Sequence, residues 1–189
     1  MEKAVSKDRL NGFFLDMTRR SFFELGINDA QVTRYVADVM SDFAHTDKLY
    51  RVHSRSGRKL DSVVEILAAA EESPSGETPL MRERRLRKYL GDYTLFMSGF
   101  FRSHVERGGF LDYYLKEGRA SYWTVSELDL SRYRTGFVLF QELSEKFEYF
   151  SGALDYMQKA YFAPGPGRDP FAGFLKRIEG WMKVSVSDN

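Results

Sequence analysis

The sequence predicts an all-α fold, a single-domain irregular bundle of six or seven helices with one long central helix, and three observations carry that expectation. Apolar residues recur at i, i+3, i+4 and i+7 through most of the chain. The segments with this period are opened by capping residues and closed by glycine or proline. Only around Tyr50-Arg51-Val52 and the Ser56-Gly57 turn does the chain suggest a short extended pair.

The first helix is marked by Leu10, Phe13, Phe14, Met17 and the run Phe22-Phe23-Glu24-Leu25, and it stops at Gly26, a residue suited to a left-handed C-terminal cap. Asn28 followed by Gln31 has the form of a capping box. Val32, Tyr35, Val36, Val39, Met40 and Phe43 then make one stripe of a second helix, with Thr33, Arg34, Asp38 and Asp42 on its other face. The two are expected to form a helical hairpin. Residues 45–59 lose the period and predict an exposed loop. Leu60, Val63, Val64, Leu67 and Ala70 outline a short third helix. Ser73-Pro74-Ser75-Gly76-Glu77-Thr78-Pro79 is the clearest linker, with Thr78 as cap and Pro79 at the first position of a fourth helix. Neither side of it holds enough apolar surface to stand alone, so residues 1–184 read as one domain ahead of a frayed tail at 185–189.

From Leu80 the stripe Leu86, Tyr89, Leu90, Tyr93, Phe96, Met97, Phe100, Phe101 and Val105 keeps helical phase, predicting one long helix bent at Gly91 and ended by Gly108-Gly109. Leu111, Tyr114, Leu115, Gly118, Tyr122 and Val125 form the next. After a break at Asp129-Leu130-Ser131, the residues Tyr133, Phe137, Phe140, Phe147, Phe150, Leu154, Met157 and Tyr161 hold one face. This predicts the central helix over residues 131–162, roughly 45 Å long at about 1.5 Å per residue. Pro164-Gly165-Pro166-Gly167 stops it, and Phe171, Phe174, Leu175, Ile178, Trp181 and Met182 outline a short last helix. No repeat of 20–50 residues is present, which removes a solenoid.

Composition narrows function mainly by exclusion. With 28 Lys+Arg against 27 Asp+Glu the net charge is +1, so no whole-protein field advertises nucleic acid or an anionic membrane. Zero cysteine removes disulfides, thiolate metal sites and cysteine nucleophiles. No secretory leader or membrane span is evident, which points to a cytoplasmic location. His45, His53 and His104 are not spaced as metal ligands, and no GxSxG, Walker A or GxGxxG pattern occurs, so neither a metal nor a cofactor is expected. In the basic run Arg82-Glu83-Arg84-Arg85-Leu86-Arg87-Lys88, the residues Arg84, Arg87 and Lys88 share one side and are read as a solvated face rather than a nucleic-acid site.

The unusual region lies between Tyr89 and Trp123. Gly inside a helix costs about 1 kcal/mol relative to Ala, so Gly91, Gly99 and Gly118 demand a reason. One is a tight crossing of Ser98-Gly99 against Gly118 and Ser121. The other is a pocket for a small apolar ligand, lined by Tyr93, Phe96, Ser98, Phe100, His104, Tyr114, Ser121 and Tyr122. Tight packing is the favoured reading of the two.

Here too the sequence becomes familiar. The stretch Leu90-Gly91-Asp92-Tyr93-Thr94-Leu95-Phe96-Met97-Ser98-Gly99-Phe100-Phe101, the later Asp112-Tyr113-Tyr114 and Gly118-Arg119-Ala120-Ser121-Tyr122, and the upstream Asp47-Lys48-Leu49-Tyr50 with Gly57-Arg58-Lys59-Leu60 resemble a group of bacterial all-helical hypothetical proteins over roughly residues 28–125. The resemblance implies a bacterial, stand-alone helical protein and brings no activity or site residues with it. The expected function is non-enzymatic: binding a partner protein, another copy of the chain, or a small apolar ligand through the aromatic helix pair. The alternative is an enzyme built around Asp92, Tyr93, His104, Tyr114 and Tyr122.

Overall fold

A computed structural model describes residues 7–44, 75–162 and Lys176. The expected loop at 45–59, the third helix, the stop at Pro164 and the last helix lie outside the described residues. Among those described there are seven helices and no strand, so the all-α expectation holds. The helices are α1 (Lys7–Glu24), α2 (Ala30–Ala44), α3 (Pro79–Phe100), α4 (Arg102–Arg107), α5 (Leu111–Ser131), α6 (Phe137–Glu145) and α7 (Phe147–Tyr161). The chain forms two compact units, one of Met1–Ser54 with Ala153–Asn189 and the other of Arg55–Gly152.

In the first unit α1 packs on α2 as the predicted hairpin. Gly26 takes φ +75. Around it the Ile27 N–H donates to the Phe22 carbonyl at 2.8 Å and the Gly26 N–H to the Phe23 carbonyl at 3.1 Å. Those two bonds make a Schellman motif, and the buried Ile27 supplies its apolar contact. The cap of α2 is Asp29 rather than Asn28: its Oδ1 accepts from the N–H groups of Gln31 and Val32 at 2.8 and 2.9 Å. A carboxylate is a stronger acceptor than an amide and favours the positive end of the helix, which moves the start by one residue. Leu10, Phe14 and Phe22 meet Val32, Val36, Met40 and Phe43 in the core, and the Phe14 ring lies nearly parallel to that of Phe162 at 6.3 Å.

Helices α3 and α5 are the main pair of the second unit, with α6 packed on α5. Thr78 caps α3 as expected, its hydroxyl accepting from the Met81 N–H at 3.3 Å with Pro79 in the first turn. The helix passes through Gly91 and breaks instead at Phe101, whose φ of −115 and ψ of 30 leave the helical region. A second Schellman motif ends α4 at Gly109, φ +75, with Phe110 N–H to Val105 carbonyl at 3.1 Å and Gly109 N–H to Glu106 carbonyl at 2.9 Å.

The expected single helix over 131–162 is corrected to two. Residues 132–136 are non-helical, and the backbone breaks again at Lys146, φ −109 and ψ 25, between α6 and α7. The apolar stripe keeps its phase across both breaks, which is why periodicity alone joins them. What fixes the second break is local packing. The Ser144 hydroxyl donates to the Arg119 carbonyl at 2.8 Å, and the fully buried Phe147 ring enters the space beside Gly118.

Candidate functional site

The residues singled out from the sequence lie on α3, α4 and α5, and the structure shows what each touches. Every residue from Leu90 to Phe100 is buried, so this half of α3 is enclosed on all faces. Two of the three glycines, Gly91 and Gly118, stand at close approaches. A Cβ at Gly91 would stand 2.6 Å from the Tyr122 ring. One at Gly118 would run into the Phe147 ring and lie 2.6 Å from the Thr94 hydroxyl. Ring and hydroxyl therefore occupy the volume that the missing side chains vacate.

The candidate lining residues contact the chain's own side chains. Tyr93 and Tyr114 rings meet at 6.0 Å. Phe96 and Phe100 are parallel at 6.2 Å, and Phe101 stands edge-on to Phe96 at 5.4 Å. Tyr122 packs against Phe140 and Phe147, each at 5.8 Å. The Ser98 hydroxyl accepts from the buried Ser151 hydroxyl at 2.9 Å. Ser121 is fully buried and its hydroxyl has no hydrogen-bond partner. His104 stands half-buried on α4.

Buried charge is the feature that spacing alone did not reveal. Arg84 grips Asp129 with two bonds, Nε to Oδ1 at 2.6 Å and Nη2 to Oδ2 at 2.8 Å, and its guanidinium lies over the Phe140 ring at 5.6 Å. Two turns along α3, Asp92 accepts from Lys88 Nζ on Oδ2 and from the Tyr122 hydroxyl on Oδ1, both at 2.8 Å. Pairing 84 with 129 and 92 with 122 makes α3 and α5 antiparallel. Bidentate geometry and a stacked guanidinium satisfy a buried carboxylate well. Both oxygens of each acid are engaged: those of Asp129 by Arg84 across the helix pair, and those of Asp92 by Tyr122 across the pair and by Lys88 on its own helix, an arrangement suited to structure rather than to proton transfer.

The basic run is thus spent on carboxylates to a large degree: Arg84 on Asp129, Lys88 on Asp92, and Arg85 on Glu77 through two bonds of 2.9 Å. The Glu77 carboxylate, first of all by hydrogen bonding, raises the Arg85 pKa further above its ordinary value. A signal for the Asp129 pair did exist in the sequence. An acid at the fourth position of the stripe Tyr122, Val125, Ser126, Asp129 sits on the buried face and requires a cation.

Among the described residues no cluster of three His, Asp or Glu side chains is arranged to hold a metal ion. None of their helices is long and apolar enough to cross a membrane. No protein family, curated protein or solved structure matches the chain.

Proposed function

We propose that this is a non-enzymatic binding protein of the bacterial cytoplasm whose ligand is another protein rather than a small apolar molecule. The observation that carries the choice is the filled crossing of α3 and α5. Tyr122 occupies the space beside Gly91, and Phe147 and Thr94 that beside Gly118, where a ligand would have sat. Engagement of Arg84, Arg85 and Lys88 with carboxylates argues in the same direction against a phosphate backbone as partner. The bacterial assignment rests on the resemblance of residues 28–125, and the cytoplasmic one on the lack of cysteine, which suits a reducing compartment.

Native mass spectrometry of the purified chain tests it. The expected spectrum shows the bare chain or protein assemblies, and a mixture of fatty acids and flat aromatics leaves both mass and melting temperature unchanged. A stoichiometric small-molecule adduct overturns the reading.

A further inference from the structure

Among the described residues three helices end in the same Schellman geometry, and one breaks its rule. At Gly26 and Gly109 the left-handed position is held by glycine. At the end of α5 the Arg134 N–H donates to the Asp129 carbonyl at 2.9 Å and the Tyr133 N–H to the Leu130 carbonyl at 3.1 Å, so the left-handed position falls on Tyr133, φ 54. Tyr133 is the single non-glycine residue with positive φ among those described. The place where the other two motifs put an apolar residue, Ile27 or Phe110, is taken by Arg134, whose Nη1 lies 3.9 Å from Asp129 Oδ1.

A bulky side chain in this conformation is strained, and strain persists where something else is gained. Within the chain the Tyr133 ring gains nothing, being 97% exposed. Beside it Leu130 is 55% exposed, and Val138 in the first turn of α6 is 56% exposed. Along the chain the turn itself is basic, with Glu127 one turn back on α5. Arg132 and Arg134 flank Tyr133, no carboxylate occurs between Asp129 and Glu142, and Asp129 has both oxygens on Arg84. An outward aromatic ring between arginines, with aliphatic neighbours, has the composition that dominates protein interfaces.

We propose that this α5–α6 corner is a docking surface for an acidic protein segment bearing apolar side chains, with Tyr133 as anchor and Arg132 as the charge that selects it. The inference rests on the protein-binding reading and gives that partner its chemistry. Basic charge at the rim, Arg132 above all because Arg134 also faces Asp129, accelerates encounter with an acidic partner and repels a basic one. The left-handed backbone holds the tyrosine out from the helix end in advance of binding, so less freedom is lost on association.

The test presents the full chain to an immobilised array of peptides in which Asp and Glu alternate with Leu, Phe and Trp, to a second array with Lys in place of the acids, and to phosphatidylserine vesicles. The expected result is preference for the acidic array, weakened by salt. Tyr133→Gly and Arg132→Glu should each reduce that binding by about tenfold or more. The melting temperature of Tyr133→Gly should be unchanged or higher, because glycine suits the backbone there, so its loss of binding is not a loss of fold. Binding indifferent to both substitutions, or equal on the two arrays, overturns the corner while leaving the protein-binding reading standing. Vesicle binding that Tyr133→Gly abolishes overturns it in favour of an anionic membrane, and a dimer that the same substitution dissolves overturns it in favour of a second copy. A small-molecule adduct in the mass spectrum strikes instead at the protein-binding reading itself.

Discussion

Gly118 and Gly12 are both helical glycines, and their surroundings give the same substitution opposite signs. Around Gly12 on α1 nothing lies within 4 Å of a new Cβ, so Gly12→Ala should stabilise by about 1 kcal/mol through helix propensity. At Gly118 the new methyl meets the Phe147 ring and the Thr94 hydroxyl, both fully buried, so Gly118→Ala should destabilise by about 1–3 kcal/mol despite the same propensity gain. Urea midpoints of the two variants check this, and shifts in the same direction would refute the packing account. From the sequence, Gly118 was recognisable as a residue needing an explanation. Its main neighbour was not, because Phe147 arrives from 29 positions later, by the numbering, after two helix breaks. The strain at Tyr133 was equally hidden, since it depends on backbone bonds to Leu130 and Asp129 that residue type does not reveal.

At the scale of elements, polar contacts fix how helices meet in each unit. Asp129→Ala leaves the partly buried Arg84 without its carboxylate and should cost about 3 kcal/mol, the lower end for a broken buried pair because a quarter of the Arg84 side chain reaches water. Chemical denaturation measures it, and a change within about 0.5 kcal/mol, typical of a surface site, would contradict the role assigned to the pair. In the first unit Glu24 of α1 accepts from the hydroxyls of Tyr161 at 2.6 Å and Tyr156 at 2.7 Å on α7, and Arg20 lies over the Tyr161 ring at 5.9 Å. The Tyr161 bond first, then that of Tyr156, lowers the Glu24 pKa below its ordinary 4.5, and the shared carboxylate raises both tyrosines above 10.0. A lowered acid stabilises above its unfolded pKa and loses that effect as pH falls through the folded value. A raised tyrosine stabilises below its unfolded pKa and loses the effect as pH rises through the folded one. The melting difference between the natural chain and the Tyr156→Phe, Tyr161→Phe double variant should therefore be largest between pH 4.5 and 10.0 and shrink on either side. A difference constant with pH would remove the carboxylate from the explanation. Among the described residues helix identity was legible because apolar spacing and caps such as Thr78 and Gly26 are local. The breaks at Phe101 and Lys146 were not, since each leaves the hydrophobic phase intact, and the second lies beside contacts to Arg119 and Gly118 that are distant in sequence.

At the scale of the whole chain, 28 cations nearly balance 27 anions, and among the described residues the acids Asp92 and Asp129 are buried in pairs while Arg132 and Arg134 stand exposed at the α5–α6 corner. The boundary at Gly152–Ala153 lies inside α7, and no linker marks it, because the helix supplies apolar residues on both sides of that point: Phe147 and Phe150 before it, Leu154 and Met157 after. That continuity gives the chain a direction in time. A ribosome emits Arg55–Gly152 as one uninterrupted stretch, whereas the unit begun by Met1–Ser54 must wait for Ala153–Asn189. At about 5–20 residues per second the wait for that last stretch is on the order of 2–7 s after Gly152 is made. The usual order, N-terminal part first, is thereby reversed: α1 and α2 leave the tunnel early and are finished late. Pulse proteolysis of stalled nascent chains should find the α3–α5–α6 region protected before α1 and α2 are, and protection in the opposite order would show that the hairpin stands without α7.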